Sequence, residues 1–466
     1  MSAPALLAEC VGPVLRDLAR RSGKDLSRWL EQVHRLGGCT EPVRLVGETM
    51  TLDAASGEIV SSYSTAGEPH GHLLVRCGNR RASRCPSCAE LYRRDTFHLI
   101  RAGLLGGAKG VPASVRAHPR VFVTLTAPSF GPVHRGPDKS GVRRVCHPRR
   151  TGPTCFERHK SDDGRIGQPL DLDSYDYVGH VLWNAHAGEL WRRFTIYLRR
   201  HLAAAAGLTQ SAFNKAVRVS FAKVAEYQAR GVVHFHGVVR LDGRTTEPAD
   251  VVEPPPWATL ELLETAISSA VAAVRVKAPD VGQPTKELVW GRQVDVKPIE
   301  TGDLDGHLSE QAVAAYIAKY ATKAAETSGT LDRRIHAHDL SRLREQGASS
   351  HAARLIRTAW RLGNPESYPE LTGLRLRKWA HMLGFRGHFS TRSRAYSTTL
   401  GAVRDERADY RRAQSVHGGA ELPEESTLVL AHWSFAGQGY TAGESLLATS
   451  IINGPPGMTA RREVDP

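Results

Sequence analysis

The sequence predicts a mixed α+β fold with a largely antiparallel central sheet, because strand-like and helical patterns alternate through the middle of the chain. One observation is the β-rich run 121–126. Another is a hairpin signal, since the strand-like runs 217–227 and 232–241 flank Arg230 and a glycine. A further strand is predicted at 288–299. Helices are predicted at 182–206, 257–274 and 310–325.

The length indicates several folded regions, since 466 residues exceed the ~100–200 residues of an ordinary domain. Helical spacing of apolar residues over 15–36 ends at a Gly pair, and 130–177 is polar, Gly- and Pro-rich and without a period. We expect a basic helical N-terminal segment (1–38), a zinc-binding region (39–118), the α+β core (119–330) with an insertion (130–177), a basic helical and strand-like DNA-binding region (331–400) and a C-terminal region without an assigned role (401–466).

The charge balance indicates a polyanionic partner. Lys and Arg number 62 against 48 Asp and Glu, a net charge of +14, and 50 of the basic residues are Arg. The planar guanidinium matches phosphate oxygens, which favours nucleic acid, although a GC-rich genome would encode a similar composition. Because no apolar run of ~18 residues occurs, we expect a cytoplasmic protein that is neither exported nor membrane-spanning.

A His-x-His pair predicts a divalent-metal site. Residues two apart on a strand share one face, so His234 and His236 can offer two imidazoles to one cation. Glu226 is the third candidate ligand if the hairpin loop has an odd number of residues, whereas a two-residue loop would turn it to the opposite face. The alternative is a pair of half-buried strand histidines with ordinary hydrogen bonds.

Two tyrosines four residues apart predict a nucleophilic site. Tyr316 and Tyr320 share one face of the helical pattern 310–325. Lys319 lies beside them, and Lys323 one turn further on. Phenols near ammonium groups are candidate nucleophiles at a phosphate, because a nearby cation favours the phenolate. The alternative is that both tyrosines only pack against the sheet.

Cysteines in the N-terminal part predict structural zinc. Cys85 and Cys88 form a Cys-x2-Cys pair, and Cys39 and Cys77 complete a set of four thiolates, with free thiols as the alternative. The insertion holds a second candidate set, which the sequence leaves open: Cys146, His147, Cys155 and His159.

Basic side chains beside the candidate site and in the alternating run 385–397 are predicted to contact DNA. These residues are Arg230, Lys323, Arg386, His388, Arg392 and Arg394.

The order of these motifs resembles the HUH endonuclease superfamily. A hydrophobic strand ending at Thr126, a His-hydrophobic-His pair and a helical Tyr-x-x-Lys-Tyr follow one another as in its rolling-circle replication initiators. The paired tyrosines resemble the branch typified by phage gene A proteins. Over residues 39–400 the chain more closely resembles replication initiators of actinobacterial conjugative plasmids and integrative elements. That resemblance is carried by the hairpin and by residues 85–88, 175–177, 183–191 and 384–394.

The resemblance implies an HUH endonuclease core, with a central sheet flanked by helices, that nicks and religates one DNA strand. It implies Mg²⁺ or Mn²⁺ held by His234, His236 and Glu226. It also implies Tyr316 as first and Tyr320 as second nucleophile, each forming a 5′-phosphotyrosine bond, with Lys319 on the scissile phosphate. The implied partners are origin DNA, single-stranded or as an extruded hairpin, and a host helicase, DNA polymerase and single-strand-binding protein.

Two alternatives to an initiator remain at this stage. A relaxase or transposase would use the same chemistry, but relaxases place the tyrosine before the histidines, whereas Tyr316 follows His236. A non-catalytic, zinc-stapled regulator would bind duplex DNA through its basic surface. It would need no divalent ion other than zinc and would leave both strands intact.

Overall fold

The computed structural model describes residues 24–138, 140–245, 251–282, 287–300, 309–322, 328–415 and 427–452. They form two compact units, one with the described residues up to Arg93 and from Glu406 onward, the other spanning Arg94–Asp405. None of the helices in this part of the chain is long and apolar enough to cross a membrane. The predicted helix 15–36 is observed over Lys24–Arg35, and its earlier residues lie outside the described ranges.

The elements confirm a mixed α+β fold with antiparallel sheets. The described helices are α1 (Lys24–Arg35), α2 (Pro86–Leu105), α3 (Tyr177–Ala205), α4 (Gln210–Ala216), α5 (Leu260–Ala273), α6 (Glu310–Ala321), α7 (Ser350–Leu362), α8 (Leu400–Ser415) and α9 (Ala442–Ile452). The described strands are β1 (Val43–Asp53), β2 (Ile59–Ser64), β3 (Leu73–Val75), β4 (Arg120–Leu125), β5 (Val217–Tyr227), β6 (Val233–Gly243), β7 (Val276–Lys277), β8 (Glu287–Leu288), β9 (Val294–Pro298), β10 (Ser390–Arg392) and β11 (Thr427–Gln438).

The sheet of the first unit joins the two ends of the described chain. Its strand order is β11-β1-β2, and β3 also pairs with β1. The β1–β11 pairing runs from Val43 opposite Gln438 to Asp53 opposite Thr427. Residues 427–438, for which the sequence suggested no role, therefore complete a sheet along the full length of β1.

The sheet of the second unit has the order β10-β5-β6-β4-β9, and every neighbouring pair is antiparallel. It is covered on one face by α3, a long helix whose N-terminus is capped by Asp176, which accepts a hydrogen bond from Gly179 N at 2.8 Å. Trp183, Leu190 and Phe194 recur at helical spacing along α3 and are fully buried. This helical stripe forms the centre of the hydrophobic core.

The two faces of this sheet have different chemistry because strand side chains alternate. On β6, Phe235 faces α3 and packs edge-on against Trp191. His234 and His236 belong to the other face, where the His236 ring lies 4.9 Å from the Tyr316 ring of α6. Aromatic core and polar site are therefore separated by one layer of backbone.

Three predicted elements are shorter than expected. The strand 288–299 is interrupted because Gly291 N donates to Thr126 O at 2.7 Å, and a Cβ at Gly291 would lie 2.5 Å from Ala127 O. The helical stretch after residue 330 contains α7 and short 3-10 turns, and α7 ends at Gly363, where a Cβ would lie 2.7 Å from Arg377 N. The strand-like run 385–397 contributes only β10. In the first two cases close backbone approaches override the local pattern.

A buried charged group lies on the face of the sheet that carries the histidines. Arg240 donates through Nε and Nη2 to both carboxylate oxygens of Asp242, at 2.6 and 3.0 Å, and neither side chain is exposed. His118 Nδ1 lies 2.8 Å from Asp242 Oδ1. Burial raises the pKa of Asp242, but the hydrogen bond with His118 and the charge of Arg240 outweigh it, so this pKa lies below its usual value.

We predict that Asp242→Asn lowers the free energy of unfolding by about 3–5 kcal/mol at pH 7, because Arg240 then keeps an uncompensated buried charge. Since the folded-state pKa of Asp242 is depressed, the carboxylate stabilises the fold above its unfolded pKa of about 3.9, and this contribution is lost as the pH falls through the folded value. The difference in the free energy of unfolding between variant and wild type, measured by urea unfolding, should therefore become smaller below about pH 4.

The matched control is Asp280→Asn, because that carboxylate is exposed. Equal losses of stability in the two variants would contradict the importance of the buried pair.

Candidate active site and cysteine cluster

The loop between β5 and β6 determines the face on which Glu226 lies. It spans residues 228–232, an odd number, and Glu226 pairs directly with His234. Gly231 has a φ of +82°, and a Cβ there would lie 2.7 Å from Leu383 Cδ1, so this turn requires glycine. The condition set by the sequence is met, and Glu226 shares the face of both histidines.

Three potential ligand atoms converge on this face. Glu226 Oε2 lies 3.0 Å from His234 Nε2 and 3.1 Å from His236 Nε2. The two imidazole nitrogens are 3.1 Å apart. Two imidazoles and one carboxylate at these distances form a group that can hold a metal ion.

Neighbouring side chains orient the two imidazoles. Thr124 Oγ1 lies 3.0 Å from His236 Nδ1, and Gln228 Nε2 lies 3.3 Å from His234 Nδ1. Burial lowers the pKa of His236, although the hydrogen bond with Glu226 raises it, so the ring is neutral at pH 7. When Nδ1 donates to Thr124, Nε2 keeps its lone pair for a cation.

Helix α6 presents both tyrosines to these imidazoles. Its N-terminus is capped by Ser309, whose hydroxyl accepts from Ala312 N at 3.2 Å. Tyr316 is 37% exposed and its hydroxyl lies 3.3 Å from His236 Nε2. The Tyr320 ring lies 4.5 Å from the Tyr316 ring and 5.6 Å from that of His236.

The tyrosines are separate from the face of α6 that packs in the core. That face is formed by Val313, Ala314, Ile317, Ala318 and Ala321, all buried. Tyr316 is exposed and Tyr320 is half-buried, and both rings contact His236 on the sheet. Lys319 is exposed, and its Nζ lies 5.7 Å from the centre of the Tyr320 ring.

One aromatic side chain contacts both the His236 imidazole and the Tyr316 phenol. Phe122 on β4 stacks on His236 with an interplanar angle of 8° and meets Tyr316 edge-on.

Burial, followed by the hydrogen bond with Tyr320, raises the pKa of Tyr316 well above its usual value. The phenol therefore holds its proton at neutral pH unless positive charge is brought close to it.

The start of α6 is anchored by a buried ion pair. Arg120 on β4 donates through Nη2 to Glu310 Oε1 at 2.6 Å, and both side chains are almost inaccessible. Arg120 also donates to the carbonyl oxygens of Leu104 and Ile299. This network ties the tyrosine helix to the strand that carries Phe122 and Thr124.

A cavity of about 320 Å³ opens beside Tyr316 and His236. Its wall includes Asp295 and Lys297 of β9, which the sequence analysis did not select. Asp295 and Lys297 are two residues apart on a strand, so the sequence indicates that they share one face. The strand beside them is known only from the pairing in the structure, in which Thr124 lies opposite Asp295.

The predicted DNA contacts have different surroundings. Arg386, His388 and Arg394 are exposed, and Arg392 is half-buried on the edge strand β10. Arg230 is half-buried, and its guanidinium donates to Gln228 Oε1 at 2.8 Å and to Pro128 O at 3.2 Å. These hydrogen bonds help to hold the hairpin loop. Lys323 lies outside the described residues.

A cysteine cluster lies in the first unit. Cys39, Cys77, Cys85 and Cys88 bring four thiol sulfurs together, with Cys39 Sγ and Cys85 Sγ 3.8 Å apart. Two sulfurs bound tetrahedrally at ~2.3 Å from one zinc ion would be about 3.8 Å apart. The main-chain N–H groups of Cys77 and Asn79 donate to Cys39 Sγ and Cys77 Sγ, each at 3.4 Å. The cluster can therefore hold a metal such as zinc.

Comparisons with known proteins agree on one family. The family model described as "Replication initiator protein, pSAM2" (RepSA) matches residues 25–453. A curated "Replication initiator protein" of Streptomyces ambofaciens is 50% identical over 446 residues, which cover 94% of this chain and 92% of that protein. No solved structure matches the chain.

We predict that Cys85→Ser removes the metal of the cysteine cluster and destabilises the first unit, because a structural ion contributes directly to folding free energy. Wild-type protein should contain zinc that elemental analysis detects, and the variant should contain one equivalent less. The control is Ser87→Ala, which alters a neighbouring side chain without removing a thiolate. Equal zinc contents in wild type and Cys85→Ser would contradict this assignment.

Proposed function

Because the chain belongs to the RepSA family of replication initiator proteins, we propose that it starts rolling-circle replication of a mobile element. In this proposal it nicks one strand of origin DNA and remains attached to the 5′ end. The observation that carries the proposal is the Tyr316 hydroxyl, 3.3 Å from a nitrogen of the two-histidine, one-carboxylate group. In this proposal the nucleophile and the metal-binding group act on the same phosphate of the DNA strand.

The three ligand atoms lie close enough together to share one cation. Their separations of 3.0–3.1 Å are compatible with ligands about 2.1 Å from a single metal ion. Carboxylate oxygen suits Mg²⁺ and Mn²⁺, and imidazole is a better ligand for Mn²⁺ than for Mg²⁺. We therefore propose that Glu226, His234 and His236 hold Mg²⁺ or Mn²⁺.

The bound cation would supply positive charge that polarises the scissile phosphodiester and favours the phenolate. The Tyr316 oxygen then forms a bond to phosphorus while the bond from phosphorus to the 3′ oxygen breaks. The proton that Tyr316 loses to water is balanced by the proton that the departing 3′ oxygen takes up from water, so a 3′ hydroxyl is released and the 5′ phosphate stays on the tyrosine. Because one phosphodiester replaces another, the step needs no ATP. In this proposal Lys319, which is exposed and whose Nζ lies 5.7 Å from the Tyr320 ring, contacts the phosphate.

The second tyrosine supports a complete cycle. The Tyr320 ring lies 4.5 Å from that of Tyr316, which supports a role for both phenols at one phosphate. One phenol can hold the 5′ end while the other attacks the regenerated origin. A host helicase remains a proposed partner, since the sequence contains no Gly-x4-Gly-Lys-[Ser/Thr] loop for a motor of its own. A host DNA polymerase and single-strand-binding protein are proposed partners because the family resemblance implies them.

The first test combines the protein, Mn²⁺ or Mg²⁺, and single-stranded oligonucleotides tiled across the origin of its element. One oligonucleotide should yield a covalent adduct that migrates more slowly on a denaturing gel. Folded protein that binds origin DNA but forms no adduct on any tile would favour the non-catalytic regulator.

We predict that His236→Ala lowers the rate of adduct formation by about 100-fold or more, because the cation loses one of its ligands and stabilises the transition state less. Binding of origin DNA should change little, since phosphate contacts elsewhere on the surface position the DNA. Gel assays of cleavage and filter assays of binding separate the two effects. His338→Ala, at a side chain that is 80% exposed, is the control. Normal cleavage by His236→Ala would exclude the metal assignment.

We predict that Tyr316→Phe abolishes or strongly reduces the initial adduct, and that Tyr320→Phe impairs release of circular product more than initiation. The double variant should be inactive, because no phenol remains beside His236. Peptide mapping of the adduct identifies the reacting residue, and Tyr197→Phe on α3 is the control. A cross-link at any other residue would overturn the assignment even if the protein nicks DNA.

A further inference from the structure

Between Phe130 and Tyr175, which are buried in the main core, the insertion 130–177 has almost no apolar core of its own. Apart from isolated bridges, its described residues 131–174 form no helix or strand. Phe156 is 69% exposed and Val142 is 53% exposed. The buried residues of this stretch are Cys146, His147, Cys155, His159, Gly167 and Pro169. A segment that buries thiols and imidazoles instead of aliphatic side chains needs another source of folding free energy.

Four ligand atoms meet inside this segment. His134, Cys146, Cys155 and His159 each contribute one atom to a group that can hold a metal ion. His134 Nδ1 lies 3.1 Å from His159 Nε2. Cys155 Sγ lies 3.4 Å from His159 Nε2, and Cys146 Sγ lies 3.9 Å from His134 Nδ1.

These separations agree with the edges of a zinc tetrahedron. With Zn–N of ~2.05 Å and Zn–S of ~2.3 Å, tetrahedral ligands are about 3.3 Å apart for two nitrogens and about 3.6 Å apart for nitrogen and sulfur. The observed 3.1, 3.4 and 3.9 Å differ from these values by about 0.3 Å or less. Two thiolates with two imidazoles also form a closed donor set that zinc prefers.

The surroundings hold the ligands as a metal site requires. Asp163 Oδ2 lies 2.7 Å from His159 Nδ1, which orients His159 Nε2 towards the cluster. Arg165 binds the same carboxylate at 2.9 Å. The main-chain N–H of Arg135 donates to Cys146 Sγ at 3.2 Å, an interaction that stabilises a thiolate.

We propose that His134, Cys146, Cys155 and His159 bind a structural zinc ion, separate from the cysteine cluster of the first unit. His134 replaces His147 of the set considered from sequence. The His147 main chain pairs with Cys155, and its Nδ1 approaches only Cys146 Sγ, at 3.3 Å. The proposal is independent of the nicking chemistry.

The zinc site stabilises the hairpin loop of the candidate active site. His134 pairs through its main chain with Gly167 and Gln168, at 2.9 and 2.8 Å. Gly167 packs against the loop so closely that a Cβ there would lie 2.5 Å from Ala229 Cβ. The metal therefore holds in place the segment around Gly167 that contacts Ala229 of the hairpin loop.

The test measures zinc per chain in full-length protein purified without chelators. His134→Ala and Cys155→Ser should each contain one equivalent less than wild type, whatever the occupancy of the other cluster. His147→Ala should keep the wild-type content, and His134→Cys should also keep it because a ligand is restored. Unchanged zinc in both His134→Ala and Cys155→Ser would overturn the proposal. Loss of zinc in His147→Ala but not in His134→Ala would overturn the ligand set.

A second measurement leaves the insertion unaltered, in case its variants fail to fold. Cys85→Ser, with the first cluster disabled, is reconstituted with Co²⁺, which reports thiolate ligands through charge-transfer absorption. A thiolate-to-cobalt band must remain, at an intensity expected for two thiolates. Its absence from folded protein would overturn the proposal, whereas failure of nicking alone would leave the zinc result unaffected.

Discussion

The register between β5 and β6 is the constraint on which the candidate site depends. Side chains on a strand alternate between faces, so one residue more or fewer in the loop 228–232 would turn Glu226 towards α3. The face towards α3 is aromatic, with Phe235 packed on Trp191, and does not carry the two imidazoles. Gly231 and the hydrogen bonds of Arg230 therefore help to position His234 and His236, which lie three and five residues after Gly231.

Two buried ion pairs support this face from its far end. Arg120 and Arg240 lie directly opposite each other on β4 and β6, an arrangement that repulsion would disfavour. Each guanidinium has its own carboxylate, from Glu310 and Asp242. Because a shift of Glu310 away from Arg120 would leave a buried charge uncompensated, the Arg120–Glu310 pair restricts how α6 can move on the sheet. The position of Tyr316 relative to His236 follows from that restriction.

The sequence was informative where a short period determines geometry. Spacing of two residues placed His234 and His236 on one face, and spacing of four placed Tyr316 and Tyr320 together. Whether the loop between β5 and β6 has an odd or an even number of residues could not be predicted. The position of Glu226 could therefore be stated only as conditional on it. His134 could not be recognised as a neighbour of Cys146, because a loop without periodicity gives no register. Similarly, the break at Gly291 arises from contact with Ala127, far away in sequence.

The β1–β11 ladder has a consequence for the time course of synthesis. One edge of β1 pairs with β2 and β3, which follow it closely, but the other edge waits for residues 427–438. At translation rates of ~5–20 residues per second, that wait lasts about 20–75 s. During this interval the nascent chain exposes an unpaired strand edge, which is the surface that promotes aggregation. The sheet of the first unit can therefore be completed only after residue 438 has been synthesised.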